Sequence, residues 1–430
     1  MRIFSRLLAV VGGLRWYNSE AHKRKKLIIL GTGWAGYSLL KHVNKKLFDV
    51  VVVSPRNHFL FTPLLASTTV GTLEFRSIIE PIRNHGFRDE RDFHLSRAVG
   101  LDKQKRIISC QSELDSTRQY DLFYDRLVIA VGALSNTFGV PGVEKYAFFL
   151  KEIADAQKIR NRILVNVELA TQPGVPEDER SRLLHFVVVG GGPTGVEFSA
   201  EFYDFLKQDI ARLYPGERDM VKVTLIEANQ ILSSFDIKLR RYAEGKIKQR
   251  SQMKLLRGSV VEVKQNSIKL KDGTELPCGL VVWSTGVAPR MFTETIGVEK
   301  DDREQIVVDE YLRSVSDRKK CIYAIGDCAY VKNSPLPCTA QVAERQGRYL
   351  AKALSQEDPP KFHFKHFGML AYIGEYKALA ETPVAKSRGF TSWVLWRSAY
   401  TTRLGSWRLR MQVPLDWIKT FFYGRDTSRF

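Results

Sequence analysis

Apolar runs of four residues, each breaking at a glycine cluster, occur twice along this chain. Leu27-Ile-Ile-Leu30 enters Gly31-Thr-Gly33-Trp-Ala-Gly36, and Phe186-Val-Val-Val189 enters Gly190-Gly-Gly192-Pro-Thr-Gly195. Short continuous apolar runs bounded by glycine predict buried strands, and the patterns that follow predict helices over Tyr37–Val43 and from Glu197 to Leu213. A second strand follows each helix, Asp49–Val53 and Val221–Ile226. Each copy then carries a meander that closes on an apolar strand and a glycine: Arg126–Val131 before Gly132, and Leu280–Thr285 before Gly286. The copies are offset by 159 residues at the glycine loops and by 154 at the strand ends. Two independent landmarks agreeing this closely predict an internal repeat.

Strand, G-x-G-x-x-G turn and helix in that order predict a dinucleotide site: a tight turn, a close approach of backbone to diphosphate, and close packing of helix on strand. The expected fold is α/β, with two tandem Rossmann-like dinucleotide-binding domains. The copies differ where a ribose is read. Glu227 ends the second strand of copy two, where a carboxylate accepts from ribose hydroxyls and repels a 2′-phosphate, predicting NADH over NADPH. Copy one ends the same strand in Ser54-Pro55-Arg56, without an acid, which suits a flavin dinucleotide. Cys321–Ile325 leads into Gly326-Asp327, and an aspartate there can bind the ribityl hydroxyls of FAD.

Composition sets outer bounds. A chain of 430 residues holds two or three domains at about 150 residues each. With 44% hydrophobic and 26% charged residues it is a folded protein rather than a disordered one. The formal charge of +19 points to an anionic partner, and its position narrows the choice. Residues 1–26 and 388–430 each carry a net +6, so twelve of the nineteen excess charges are terminal. The first 19 residues lack acids and interleave Arg2, Arg6 and Arg15 with apolar residues, the composition of a mitochondrial presequence ending near Asn18. No run of 18 apolar residues predicts a spanning helix. In the tail, Trp393, Trp396 and Tyr400, then a helix opening at Pro414 with Trp417, Ile418, Phe421 and Phe422, predict a basic interfacial foot over residues 388–430, with a dimer or domain interface as the alternative. The five cysteines form neither C-x-x-C nor a metal cluster, no calcium loop occurs, and no nucleic-acid motif is present.

Taken together, Ser54–Leu65, Ser77–Ile82, Gly190–Glu197, Ala324–Asp327, Thr339–Ala343 and Asp416–Asp426 resemble the type II (alternative, rotenone-insensitive) NADH:quinone oxidoreductases of mitochondria, over residues 25–430. The resemblance implies FAD, bound non-covalently, at Gly31, Gly33, Gly36, Arg56, Gly132, Gly326, Asp327 and Ala340. It implies NADH, the substrate, at Gly190, Gly192, Gly195, Glu227 and Gly286. Glu197 and Gln341 are the implied catalytic residues, with Gln341, Arg345 and Tyr372 toward ubiquinone. The family usually has a second glutamine one turn after Gln341; here Arg345 holds that position and Gln346 follows it. The implied division is a presequence and basic linker (1–24), an FAD domain in two parts (25–150 and 291–360), an inserted NADH domain (151–290) and a quinone and membrane region (361–430). The implied location is peripheral, on the mitochondrial inner membrane, with no proton pumping. Rival readings are a same-fold reductase with a protein acceptor, of the ferredoxin-reductase or apoptosis-inducing-factor kind, and a catalytically quiet flavoprotein subunit.

Overall fold

A computed structural model describes residues 24–428. The expected presequence therefore lies outside the described residues, Arg24 excepted. Lys25–Leu30 and Phe48–Ser54 pair in parallel, Ile29 opposite Val52, with helix α1 (Trp34–His42) between them. They are the centre of a seven-stranded sheet. On one side lie Arg126–Ile129 and Ile322–Ala324; on the other lie Phe93–Asp102, then Ile107–Ser112 and Gln119–Phe123, each antiparallel to the strand before it.

The second copy makes a five-stranded parallel sheet in the order Met253–Arg257, Lys222–Glu227, His185–Val189, Leu280–Trp283, Phe148–Phe149. Phe148–Phe149 thus precedes the second glycine loop in sequence yet pairs with its sheet. Helix α2 (Pro193–Phe205) starts four residues before the expected Glu197, with Pro193 in its first turn. That placement suits proline, whose missing N–H falls among helix-start donors that have no intrahelical acceptor. The helix continues as a π-turn over Leu206–Ile210 and ends at Leu213.

Helix α3 (Ala340–Ala353) lies against α1, and the contact is close enough to require glycine: a side chain on Gly347 would stand 2.4 Å from the Ala35 carbonyl oxygen. A three-stranded antiparallel sheet (Met369–Gly374, Lys377–Glu381, Lys386–Gly389) then leads to helices α4 (Phe390–Arg403) and α5 (Trp407–Tyr423).

Two expectations for the tail are corrected. Pro414 lies inside α5 rather than at its start, because Ser406 caps the helix by accepting from the Leu409 amide. Trp396 and Trp417 are buried, and Arg397 is stacked between Trp393 and Trp417, at 4.2 and 4.3 Å from their rings. The exposed apolar face of α5 is Trp407, Met411, Leu415, Ile418 and Phe422, at helical spacing, with Phe421 exposed beside it, so that Ile418, Phe421 and Phe422 face outward as expected. The opposite face is tied to the body. Asp416 accepts from the Glu74 amide at 3.0 Å, and the buried Arg425 pairs with the buried Asp209 at 2.8 Å. Among the described residues no helix is long and apolar enough to cross a membrane.

Candidate functional site

The two glycine loops are built alike. Gly31 and Gly190 have φ of +104° and +111°, and a side chain there would stand 2.4 and 2.2 Å from the carbonyls of Ala130 and Ser284. A side chain on Gly36 or Gly195 would come within 2.0 Å of the carbonyl of the first glycine of its own loop. These four positions let helix approach strand. The middle glycines face open space instead: the nearest atom to a Cβ on Gly33 is Arg56 Nη2 at 3.6 Å, and nothing lies within 4 Å of one on Gly192. Both stand at a helix N-terminus, where free amides and the helix dipole favour a diphosphate.

One cavity of about 1300 Å³ joins the two loops. Its walls include Gly31, Gly33, Arg56, Gly132, Gly326 and Asp327 from the first sheet, and Gly192, Glu197 and Gly286 from the second. Its far end is lined by Ala340 and Gln341 of α3, by Phe367 and Leu370, and by Leu395, Ala399, Tyr400 and Arg403 of α4. Gly36, Gly190 and Gly195 act from behind this wall. Glu227 lines an adjoining pocket of about 490 Å³ with Gly192, Asn229 and Arg257.

The flavin side is prepared for a polar, anionic guest. The Asp327 carboxylate accepts no hydrogen bond from the described residues, and burial raises its pKa while Lys151 opposes the rise. Burial lowers the pKa of Lys151, whose ammonium donates to the Ala133 carbonyl. Arg56 pairs with Glu152 at 2.5 Å, and Arg290 approaches the same carboxylate at 4.0 Å. Lys151, Glu152 and Arg290 were not singled out from the sequence. Their only local signal is that Lys151-Glu152 runs into a helix-capping box at Asp155. An unengaged Asp327, the open Gly33 and the cations Arg56, Lys151 and Arg290 around one cavity fit FAD.

Glu197 projects from the first turns of α2 into the cavity. Burial pushes it up to about 8, opposed by hydrogen bonding from the Tyr372 amide. Two expected quinone residues stand elsewhere. Tyr372 is buried off the cavity wall, its hydroxyl donating to Asp204 at 2.5 Å. Arg345 stacks its guanidinium 3.9 Å over Phe367, whose ring lines the cavity, and does not line it itself. Gln341 does line the cavity, but its amide spans the segment before the C-terminal sheet, accepting from the Phe367 amide at 3.0 Å and donating to the Gly368 carbonyl at 3.4 Å. Gln346, beside Arg345, turns inward and accepts from the Gly326 amide at 2.6 Å, fixing the loop that carries Asp327.

Residues 25–347 match the pyridine nucleotide-disulphide oxidoreductase model, and residues 366–426 match the NDH2 C-terminal domain. An internal alternative NAD(P)H-ubiquinone oxidoreductase A1 of Arabidopsis thaliana mitochondria is 45% identical, over 95% of this chain and 86% of that one. A probable NADH dehydrogenase of Dictyostelium discoideum is 43% identical, over 95% and 92%. The structure of NDH2 from Plasmodium falciparum in complex with NADH superposes with a TM-score of 0.89 at 29% identity, covering 94% of this chain and 100% of that one. Matched in sequence and in fold over nearly its whole length, the chain belongs to the pyridine nucleotide-disulphide oxidoreductases and, among them, to the alternative NAD(P)H-ubiquinone oxidoreductases.

Proposed function

We propose that this protein is a non-proton-pumping NADH:ubiquinone oxidoreductase, attached to one face of the mitochondrial inner membrane. The observation that carries the reading is the continuity of the cavity: both glycine loops and the N-terminus of α3 open onto it. When bound, FAD would supply the acceptor for the hydride of NADH and the two-electron donor for the quinone.

The chain's own residues supply position and charge for that chemistry. Gly33 and Gly192 leave room for the two diphosphates, and Asp327 accepts from ribityl hydroxyls. Gly192, Thr194 and Gly286 direct the nicotinamide half of NADH toward Glu197. Hydride transfer depends on alignment, so Glu197 serves by position. At neutral pH it holds a proton, on Oε2, because Oε1 accepts from the Tyr372 amide. Helix α3, capped by Thr339, aims its N-terminus at the cavity and favours negative charge there. Phe367, Leu370 and Leu395 make the far end apolar, which excludes water and suits a quinone ring.

The membrane foot rests on two neighbouring features. The exposed stripe of α5 begins at Trp407, near a cluster in which the cations Lys41, Arg345, Arg348, Arg403 and Arg410 outnumber the acids Glu80 and Glu344: burial and then Arg410 and Arg348 lower the pKa of Lys41 against the two acids. An apolar stripe rimmed by cations matches an anionic lipid surface. Leu395 lines the cavity and is also exposed, so the quinone end opens near this face. A second copy covering the stripe is the other reading.

The test is purified flavin-loaded protein with NADH and a short-chain quinone, following NADH absorbance. Quinone-dependent loss is expected; its absence would overturn the assignment. Flotation with vesicles containing anionic lipid separates a membrane foot from a dimer interface.

A further inference from the structure

Glu227 and Arg257 end neighbouring parallel strands and are paired in register, so both face the small pocket beside Gly192. The Glu227 carboxylate is already engaged, accepting from the Gly191 amide at 2.7 Å and the Asn229 amide at 2.8 Å. Arg257 donates to the Asn229 carbonyl at 3.1 Å and meets Glu244 at 3.2 Å, and its side chain is 57% exposed. The guanidinium thus lies over the same turn that the carboxylate holds from inside.

We propose that Arg257 is the arm of a latent 2′-phosphate site, so that this pocket accepts NADPH as a secondary nucleotide once the charge of Glu227 is removed. The inference rests on reading the pocket as the adenosine-ribose end of the NADH site. Glu227 at the end of its strand disfavours a 2′-phosphate by charge, while an arginine on the adjacent strand end is the group that accommodates one. The guanidinium binds phosphate oxygens bidentately. What holds it away is the ion pair with Glu244 and the bond to the Asn229 carbonyl, contacts at an exposed side chain that a dianionic phosphate can displace. Gln230 and Ser233, also on the pocket wall, add neutral donors.

The test uses the full-length flavoenzyme and compares NADH with NADPH as kcat/KM for wild type, E227Q, R257Q and the double variant. Competition by 2′,5′-ADP against 5′-AMP serves as a readout independent of the quinone. E227Q is expected to raise the NADPH:NADH ratio about tenfold, the scale of one charge-assisted contact. Adding R257Q should remove most of that gain and weaken 2′,5′-ADP far more than 5′-AMP. A gain that survives R257Q, or equal weakening of both inhibitors, overturns the role of Arg257. Failure of E227Q to move the ratio, together with no competition by 5′-AMP, overturns the pocket assignment itself. A fourth variant, E244Q, frees the guanidinium without touching the pocket wall and should tighten 2′,5′-ADP; weaker binding contradicts the proposal.

Discussion

The backbone amide of Tyr372 donates to Glu197 Oε1 at 3.1 Å, joining residues 175 positions apart. This bond places the C-terminal sheet directly behind the cavity and holds a buried acid that nothing neutralises by charge. Folding raises the Glu197 pKa from 4.5 to about 8. Between those values the folded protein keeps a proton that the unfolded chain has lost, so the site's contribution to stability is full below pH 4.5 and falls as pH climbs to 8. Glu197→Gln has no proton to lose and still accepts from the amide. Its melting temperature should track wild type at about pH 4 and exceed it at about pH 8.5. Parallel curves across that range would show the acid to be ionised throughout.

Asp327 is the flavin-side counterpart, a half-buried carboxylate with no donor among the described residues. Asp327→Ala should weaken FAD about tenfold or more, the usual cost of a lost hydrogen bond to a charged group. The flavin-to-protein absorbance ratio after gel filtration reads this directly. Full flavin retention would remove Asp327 from the site.

For Gln341 the expected effect is on one substrate only. Its amide ties Phe367 and Gly368 over the apolar end of the cavity. Gln341→Ala should raise the quinone KM severalfold and leave the NADH KM with a small hydrophilic acceptor nearly as it was. A proportional change in both would mean that the bond supports the fold and not the pocket.

On α5, Met411, Ile418 and Phe422 are exposed and share one face. Replacing Met411 and Ile418 by Glu should release the protein from anionic vesicles and lower activity with long-tailed quinones, with short-chain activity retained. Wild type should itself release as salt rises, since cations rim the stripe. Unchanged flotation, with a shift in oligomer size, favours a second copy as the occupant.

Arg425 and Asp209 form a pair that is almost fully buried. Arg425→Met leaves the buried Asp209 with only the exposed Arg212, at 3.9 Å, as a counter-charge among the described residues and should cost about 3 kcal/mol. Arg425→Met with Asp209→Asn should cost less than the single change. Urea midpoints of the three proteins give the comparison.

The glycine loops were legible because their requirements are local. Gly31 needs a positive φ and Gly36 a missing side chain within one strand-turn-helix, and both needs show in six residues of sequence. The far end of the cavity was not, because it depends on how helices are rotated against distant partners. Gly347 must face Ala35, and that contact turns Gln346 inward and Arg345 outward, a one-residue distinction that spacing along α3 alone does not show. The same holds in the tail. A stripe of Trp and Tyr reads as an interfacial helix, whereas Trp396 meets Trp417, and Trp417 meets Arg397, within the protein. Which aromatic face meets the body is settled by Asp416 and Arg425, anchors whose partners lie hundreds of residues upstream.

Strand Ile322–Ala324 reaches the first sheet only after the second is complete, pairing Ile322 with Leu127. A chain emerging N-terminus first therefore exposes one edge of Arg126–Ile129 until almost two hundred further residues have followed. The five-stranded sheet uses only residues 148–283 and is free to assemble earlier. Folding order then runs against chain order, and the flavin side closes last, which makes the open edge of Arg126–Ile129 the point most exposed to mispairing and the natural surface for a chaperone to guard.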